Sequence, residues 1–342
     1  MQIFIDESGA FAGFHEGSIS VVGALSIPDA AMKTILKKYA KLRANLPLDK
    51  GEVKGRLLNE RQIDKIVMLL ARNEALFEVT ALDLGMHTEK EVQAYKLKHG
   101  EEMLAKVPNF DETVRPKVEE ASKLILKLPT NLYLQALVTF EVLHRLIGHM
   151  TAFFSQRKPY ELASFAWNVD GKDPAKVTAW EEWWAYYAQG ALATMSKRRP
   201  SPRLPESFFA DYSFYDQFCG AHSDGEKGTD LKILLSDIRF SSQSEPGLEF
   251  VDILTNAVRR MLTGNLQKEG WKNIHRLMIH RQDETYISFI LFGEDKEITR
   301  RASYARRVHE GFVNGGRLMM TRRNKEIASQ DIAFSQRTKG IN

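Results

Sequence analysis

The sequence predicts an α/β protein in which a mixed β-sheet is flanked by helices. Three strand-like segments open the chain, and later strand-like segments alternate with helical patterns, an order typical of a sheet with helices on its faces. The chain has 342 residues, of which 43% are hydrophobic. It can therefore bury a sizeable core, as one large domain or two ordinary ones.

Five segments have the apolar, β-branched composition of core strands. They are residues 2–6, 18–27, 75–83, 162–170 and 230–236. A sixth segment, 285–292, is strongly β in composition. We expect the first five to form one mixed sheet.

Apolar residues at helical spacing predict helices between and after these strands. Pro47 ends the first helix, and Asn59 is suited to cap the second. The predicted helices are 30–46, 59–73, 90–106, 113–128, 132–154, 175–197, 248–262 and 265–279.

Composition divides the chain into three parts. Residues 1–262 form the predicted core, 263–299 a C-terminal helix and strand packed on it, and 300–342 a basic extension. Two stretches of the core are predicted to be insertions, about 88–131, which is helical, and 197–228, whose proline and glycine content marks loops.

The sequence predicts neither a membrane span nor a secreted protein. No run of about 18 apolar residues occurs, and the N-terminus lacks the pattern of a secretory signal. The single cysteine, Cys219, cannot form an internal disulfide, which fits a reducing compartment. We therefore expect a cytoplasmic protein.

The positive charge is concentrated near the C-terminus. The net charge is +4, but residues 300–342 contain ten Lys or Arg against three acids, a local charge of about +7. Such a segment suits a polyanion, most simply DNA or RNA, and the alternative is a solvated terminus. The candidate nucleic-acid contacts are Arg300, Arg301, Arg306, Arg307, Arg322 and Arg323.

Acidic residues end several apolar segments. In residues 2–9, Gln-Ile-Phe-Ile-Asp-Glu-Ser-Gly, Asp6 ends a core strand and the glycine lets the backbone turn away. Asp170 ends another apolar strand, Glu52 lies in a glycine-flanked turn, and Asp252 lies on an otherwise apolar helix face. A buried charge is costly unless it is paired or binds a metal ion. The alternative for each acid is a structural role, such as capping a turn.

Carboxylates at the ends of separate strands can hold Mg²⁺ or Mn²⁺, which prefer oxygen ligands. Two such ions about 3.5–4 Å apart stabilise the attacking and leaving oxygens in phosphodiester cleavage. Cysteine and histidine residues at zinc-binding spacing are absent from the sequence. The sequence therefore predicts a two-metal-ion nuclease, with metal binding and catalysis assigned to Asp6, Glu52, Asp170 and Asp252.

Three further residues are assigned accessory roles. Glu7 follows Asp6, and Glu249 lies three residues before Asp252 on the same helix face. Lys54 has two interpretations, contact with a substrate phosphate or a salt bridge to a nearby acid.

Several short motifs resemble those of a known family. Residues 4–9, Phe-Ile-Asp-Glu-Ser-Gly, resemble the DESG motif of the bacterial domain of unknown function 3800 (DUF3800). Residues 52–55, Glu-Val-Lys-Gly, resemble its Glu-x-Lys-Gly element, and residues 244–254 resemble its Ser-x-x-x-Leu-Gln-x-Ala-Asp-x-Leu element. Residues 165–170 stand where the family has a core strand. The resemblance covers about residues 1–262, with gaps at both insertions.

The resemblance implies an RNase H-like core with a five-stranded mixed sheet and nuclease activity. In such a core the first three strands form an antiparallel meander with Asp6 in mid-sheet. Asp170 ends the neighbouring strand, and Asp252 comes from a helix after the fifth strand. The implied acidic set is Asp6, Glu52, Asp170 and Asp252.

Two residues depart from the family pattern. Glu249 stands where the family usually has Gln, and Val251 stands where it usually has Ala. Neither change removes a member of the acidic set. The resemblance implies no particular substrate, because one fold can host several activities.

Two other functions stay open at this point. One is a nucleic-acid-binding module without catalysis that works beside a partner protein. The other is a structural or regulatory protein whose acids only cap strands.

Overall fold

The structure of the protein is a computed structural model. It describes residues 1–109, 112–113, 115–171, 178–199, 204–209, 213–216, 219–221, 227–229, 235, 237–241, 245–280, 286–292, 310–312 and 315–328. These residues form an α/β fold with a mixed six-stranded sheet, which confirms the predicted fold class. None of the helices in these ranges combines the length and apolarity needed to cross a membrane.

The described strands are β1 (Gln2–Ser8), β2 (Ile19–Ile27), β3 (Leu76–Asp83), β4 (Ala166–Asp170), β5 (Cys219–Ala221), β6 (Lys227–Thr229), β7 (Ile238–Ser241) and β8 (Ser288–Phe289). The first three form the predicted antiparallel meander. β4 pairs in parallel with β1, β7 in parallel with β4, and β8 in parallel with β3. The order across the sheet is β7-β4-β1-β2-β3-β8, and β5 pairs with β6 in a separate two-stranded sheet.

The described helices are α1 (Asp29–Arg43), α2 (Glu60–Ala71), α3 (Glu89–Lys106), α4 (Arg115–Lys127), α5 (Thr130–Ser155), α6 (Ala179–Trp183), α7 (Gln189–Arg198), α8 (Ser213–Asp216), α9 (Pro246–Leu262) and α10 (Lys268–Trp271). The predicted cap of α2 is confirmed, because the Asn59 side chain accepts from the Gln62 backbone N–H and the Gln62 side chain accepts in return. Such a reciprocal pair satisfies two backbone donors at the helix start.

The strand predictions differ from the structure in two places, and a third prediction lies almost wholly outside the described residues. The sheet has six strands rather than five, since part of the β-rich segment 285–292 pairs with β3 through two residues. The predicted strand 162–170 begins only at Ala166, because a 3-10 turn, Pro159–Ala163, precedes it. Of the predicted strand 230–236 all but Leu235 lies outside the described residues, and the strand beside β4 is β7.

Two of the predicted helices are interrupted. Segment 265–279 forms only α10 and a 3-10 turn, Ile274–Leu277. Between them the Asn273 side chain donates to Asp64 at 2.6 Å and accepts from Arg276 at 3.0 Å, and such side-chain bonds compete with helical pairing. In segment 175–197, residues 175–177 lie outside the described ranges, and a π-helical turn, Trp184–Ala188, separates α6 from α7.

The sheet separates two apolar cores, because successive residues of a strand point to opposite faces. Ile3 and Ile5 of β1 belong to the core that contains α5, whereas Phe4 belongs to the core that contains α1, α2 and α9. β2 is buried along its whole length, and its sequence is accordingly almost continuously apolar.

Helix α9 lies unusually close to the sheet at two glycines. Gly247 belongs to the helix itself, and Gly23 belongs to strand β2, which the helix faces. A Cβ atom on Gly247 would lie 2.1 Å from the Phe4 ring, and one on Gly23 of β2 would lie 2.3 Å from Thr255 Oγ1. Distances this short are not tolerated between real atoms, so both positions need glycine. The first turn of α9 is thereby held directly over β1.

We expect Gly247→Ala to lower the free energy of unfolding by about 1–3 kcal/mol, the usual cost of overpacking a core. Gly190→Ala in α7 is the matched control, because no atom lies within 4 Å of its added Cβ and alanine is the better helix former by about 1 kcal/mol. Urea unfolding followed by circular dichroism measures both. Equal stability of Gly247→Ala and the wild type would show that α9 can move away from β1 at no cost.

Candidate functional site

Two of the predicted acids lie side by side near the carboxyl ends of two adjacent strands, β1 and β4. In the ladder between β1 and β4, Ile5 lies opposite Val169. The next residue on each strand is an acid, so Asp6 and Asp170 are neighbours on strands about 4.8 Å apart. Ile5 and Val169 face the α5 core. Asp6 and Asp170 therefore point to the opposite face, which α9 covers.

The acids from separate parts of the chain line one open cleft. Strands β1 and β4 contribute Asp6 and Asp170, helix α9 contributes Asp252, and the loop between α1 and α2 contributes Glu52. All four residues assigned to metal binding and catalysis from the sequence thus come together. The complete lining is Asp6, Glu52, Lys54, Asp170, Glu245, Leu248, Glu249 and Asp252.

A tight turn presents Glu52 to the cleft. The Asp49 N–H donates to the Glu52 carbonyl at 2.8 Å, and the Glu52 N–H donates to the Asp49 carbonyl at 3.0 Å. Between them Lys50 and Gly51 have φ angles of 51° and 88°, as in the two-residue turns that favour glycine and asparagine. A lysine in this conformation costs about 1–2 kcal/mol.

Helix α9 holds the following part of this loop. The Gly55 N–H donates to Asp252 Oδ2 at 2.6 Å, and a Cβ on Gly55 would lie 2.8 Å from the Ile253 Cα. The Arg260 side chain donates to the Leu58 carbonyl at 2.8 Å. The loop backbone therefore packs directly against the helix backbone, which fixes Glu52 and Asp252 relative to each other.

Glu249 is a buried anchor for the same loop. Its carboxylate accepts from Tyr39 Oη at 2.7 Å, Arg43 Nη2 at 2.8 Å and the Val53 N–H at 2.9 Å. Arg43 also donates to the Gly51 carbonyl at 2.6 Å. Burial alone would raise the pKa of Glu249, but these three donors outweigh it and hold the pKa below its usual value. Glu249 is therefore ionised and tied to α1 and to the loop.

Lys54 places its ammonium among the carboxylates. Its Nζ lies 2.6 Å from Glu52 Oε2. Burial alone would lower the pKa of Lys54, but the hydrogen bond to Glu52 and the charges of Asp252 and Asp170 raise it. Of the two interpretations given above for Lys54, the salt bridge to a nearby acid is the one that the structure contains.

Two carboxyl groups of the cleft have raised pKa values. Burial raises the pKa of Asp170, and the negative charges of Glu52 and Asp252 add to it against the opposing effect of Lys54. Burial also raises the pKa of Asp252, although the Gly55 N–H and Lys54 oppose it. The cleft therefore concentrates more negative charge than its cation compensates.

The donor chemistry of the cleft fits a hard divalent cation, although its side chains are not already arranged around one. In the described part of the chain, no three Asp, Glu, His or Cys side chains are grouped so that they could hold a metal ion. Carboxylate oxygens are nevertheless the ligands that Mg²⁺ and Mn²⁺ prefer. Binding such an ion requires that the carboxylates rotate and that Lys54 leaves Glu52.

Glu7 contributes to the site through its backbone, whose N–H donates to Asp6 Oδ1 at 2.7 Å and so orients that carboxylate. The Glu7 side chain points to the other face of the sheet and does not line the cleft. Glu245 does line it, and accepts from Ser241 Oγ at 3.1 Å. Sequence reasoning missed Glu245. The signal was Pro246, which favours the first position of a helix and so places Glu245 at its cap.

The described part of the basic segment packs on the core. Phe312 is fully buried and Asn324 is 2% exposed. Arg317 donates to the Ala71 carbonyl at 2.7 Å, and burial lowers its pKa. Arg322 and Arg323 are exposed at the start of the helical residues 322–328 and are not among the residues that line the cleft. The other candidate contacts, Arg300, Arg301, Arg306 and Arg307, lie outside the described residues.

Comparison with known proteins gave no match to a protein-family model, to a curated protein or to a solved structure.

We expect Glu249→Ala to lower the free energy of unfolding by about 3 kcal/mol or more, because it removes one partner of a buried ion pair. It should also speed hydrogen exchange at the Val53 amide, whose acceptor is lost. Tyr39→Phe, which removes a single bond to the same carboxylate, is the control and should cost about 1.5–3 kcal/mol. Unchanged exchange at Val53 in Glu249→Ala would contradict the anchoring role.

We expect Asp170→Asn to stabilise the metal-free protein at neutral pH. The pKa of Asp170 is raised in the folded state, so wild-type stability falls as pH rises from the unfolded-state pKa, about 3.9, through the folded-state pKa. Asp170→Asn lacks this titration. The difference in unfolding free energy between the variant and the wild type should therefore grow in favour of the variant over the same pH window. Urea unfolding in EDTA at several pH values measures this advantage. Glu101→Gln, at an exposed position of α3, is the control, and an equal gain there would refute the assignment to the cleft.

Proposed function

We propose that the protein is a metal-dependent nuclease that cleaves phosphodiester bonds with two Mg²⁺ or Mn²⁺ ions. The observation that carries the proposal is the cleft in which Asp6, Glu52, Asp170 and Asp252 come together from four separate segments. Acids that only cap strands need not converge. The raised pKa values of Asp170 and Asp252 support a cleft that gains stability when a cation enters.

We further propose that the sheet is an RNase H-like core and that the chain is related to DUF3800. The strand order β7-β4-β1-β2-β3, with an antiparallel meander followed by two parallel strands, supports the first assignment. The three family-like motifs supply Asp6, Glu52 and Asp252, and these residues line one cleft, which supports the second.

In this proposal Asp6 and Asp170, neighbours on adjacent strands, hold the ions together, and Glu52 and Asp252 complete the ligand set. Two such ions would supply an activated water molecule and stabilisation of the leaving oxygen. Asp252 also keeps its bond to the Gly55 N–H, so the loop stays in place. Lys54, once released from Glu52, is positioned to pair with a phosphate oxygen of the substrate.

The alternative is a nucleic-acid-binding module without catalysis, which works beside a partner enzyme. One observation favours it: the Lys54 ammonium is bound to Glu52 at 2.6 Å, and an internal cation can balance part of the acidic charge without a metal ion. The two proposals differ in whether a divalent ion stabilises the protein and supports cleavage.

We expect wild-type protein to cleave labelled nucleic acid in Mg²⁺ or Mn²⁺ but not in EDTA, and Asp6→Asn and Asp252→Asn to abolish cleavage. An amide keeps the shape of the side chain but removes the charge that holds a cation. The assay compares single- and double-stranded DNA and RNA. Thermal unfolding with and without Mg²⁺ should show stabilisation of the wild type only.

Asp83→Asn is the matched control for this experiment. Asp83 is a buried carboxylate at the end of β3 that accepts from the Gly85 N–H at 3.0 Å, and it does not line the cleft. It should keep full activity. Cleavage that survives in both cleft variants rules out the assigned site, and nucleic-acid binding without cleavage or Mg²⁺ stabilisation supports the non-catalytic alternative.

A further inference from the structure

Helix α1 carries a concentrated positive charge. Residues 30–48 contain five cations, Lys33, Lys37, Lys38, Lys41 and Arg43, and no acid. Lys33, Lys37 and Lys41 recur every fourth residue, so they share one face of the helix. We call these three residues the lysine ridge. With a rise of about 1.5 Å per residue, the ridge extends over about 12 Å.

The lysine ridge faces solvent because the opposite side of α1 is buried. Ala31, Ile35 and Tyr39 pack into the core, whereas all three ridge lysines are exposed. Among the described residues none of the three lysines takes part in a salt bridge or a hydrogen bond. Their charges are therefore not compensated by the fold itself.

The same helix adjoins the acidic cleft. Tyr39 and Arg43, in the second half of α1, bind the Glu249 carboxylate at 2.7 and 2.8 Å, and Glu249 lines the cleft. Arg43 also contacts the turn that presents Glu52, through the Gly51 carbonyl. The second half of α1 is thus attached to the cleft through its buried side, and the lysine ridge lies on the exposed side of the same helix.

Cations outside the acidic cleft are needed if the ligand is a polyanion. A cleft with excess negative charge repels phosphates, so the binding energy for such a ligand has to come from cations outside it. Phosphates along one nucleic-acid strand are spaced at about 3.4 Å of helix rise, so a ridge of about 12 Å spans several of them.

We propose that the lysine ridge of α1 binds the phosphodiester backbone of nucleic acid and holds it beside the acidic cleft. The proposal rests on the proposed function for the nature of the ligand. It adds a backbone contact in the N-terminal half of the chain to those that the sequence predicts in the C-terminal segment. An anionic membrane is the less favoured partner, since the apolar face of α1 is packed in the core and has nothing to insert into lipid.

The test is the salt dependence of binding for Lys33→Gln/Lys37→Gln/Lys41→Gln. Fluorescence anisotropy with labelled DNA and RNA duplexes is measured in EDTA, so that no cleavage intervenes, over a series of salt concentrations. Each lost phosphate contact lowers the slope of log affinity against log salt by about 0.9. We expect the triple variant to lose about 1–3 units of slope and to bind at least tenfold more weakly in low salt.

The matched control is Lys90→Gln/Lys117→Gln/Lys127→Gln, three exposed lysines of the α3–α4 hairpin. It removes the same charge and should keep the wild-type slope. Equal slopes in both triple variants overturn the proposal, as does a ridge variant that keeps nucleic-acid binding but loses binding to phosphatidylserine vesicles. If the ridge variant has a reduced salt slope and the wild type shows no cleavage in Mg²⁺ or Mn²⁺, the ridge proposal stands and only the nuclease proposal is refuted.

Discussion

The arrangement of the cleft depends on one buried carboxylate, that of Glu249. Removing an ionised carboxylate from water costs several kcal/mol, and only close partners offset this cost. Glu249 finds these partners in two places, the Tyr39 and Arg43 side chains of α1 and the Val53 N–H of the loop. The need to satisfy this single charge therefore fixes α1, the loop and α9 relative to one another.

The neighbouring carboxylates differ from Glu249 in how far the protein stabilises their charges. Glu249 has donors on several sides and a lowered pKa, whereas Asp170 and Asp252, which line the same cleft, have raised pKa values. The charge of Glu249 is balanced by donors of the protein, whereas the charges of the other acids repel one another. Polar groups that the fold itself does not stabilise are often found at functional sites, where a ligand stabilises them.

The local pattern was sufficient to predict which four acids line the cleft, but not what surrounds them. Asp6 and Asp170 were identified because each ends an apolar, strand-like run, and Asp252 because it interrupts an apolar helix face. The role of Glu249 could not be predicted, since its partners Tyr39 and Arg43 lie about 200 residues away in the sequence. Long-range contacts of this kind leave no periodic signal.

The errors have a similar origin. The predicted helix 265–279 is broken because Asn273 binds Asp64 on α2, and the position of β7 depends on its pairing with β4 rather than on its own composition. The charge of the basic segment was read correctly from the sequence. The burial of Phe312 and Asn324 against the core could not be predicted, because such contacts give no signal within a short window. Lysines 33, 37 and 41 were passed over because a charged helix face is ordinarily only solvated.

The separation between β1 and α9 in the chain has a consequence for biosynthesis. β1 ends at Ser8 and α9 begins at Pro246, so a ribosome adding about 5–20 residues per second makes the helix roughly 10–50 s after the strand. Until then the Phe4 face of β1 lacks the cover that α9 provides, and Asp252 is not beside Asp6 and Asp170. A chain released before residue 246 contains Asp6 and Asp170 but no cleft, and only synthesis of the last third of the protein assembles one.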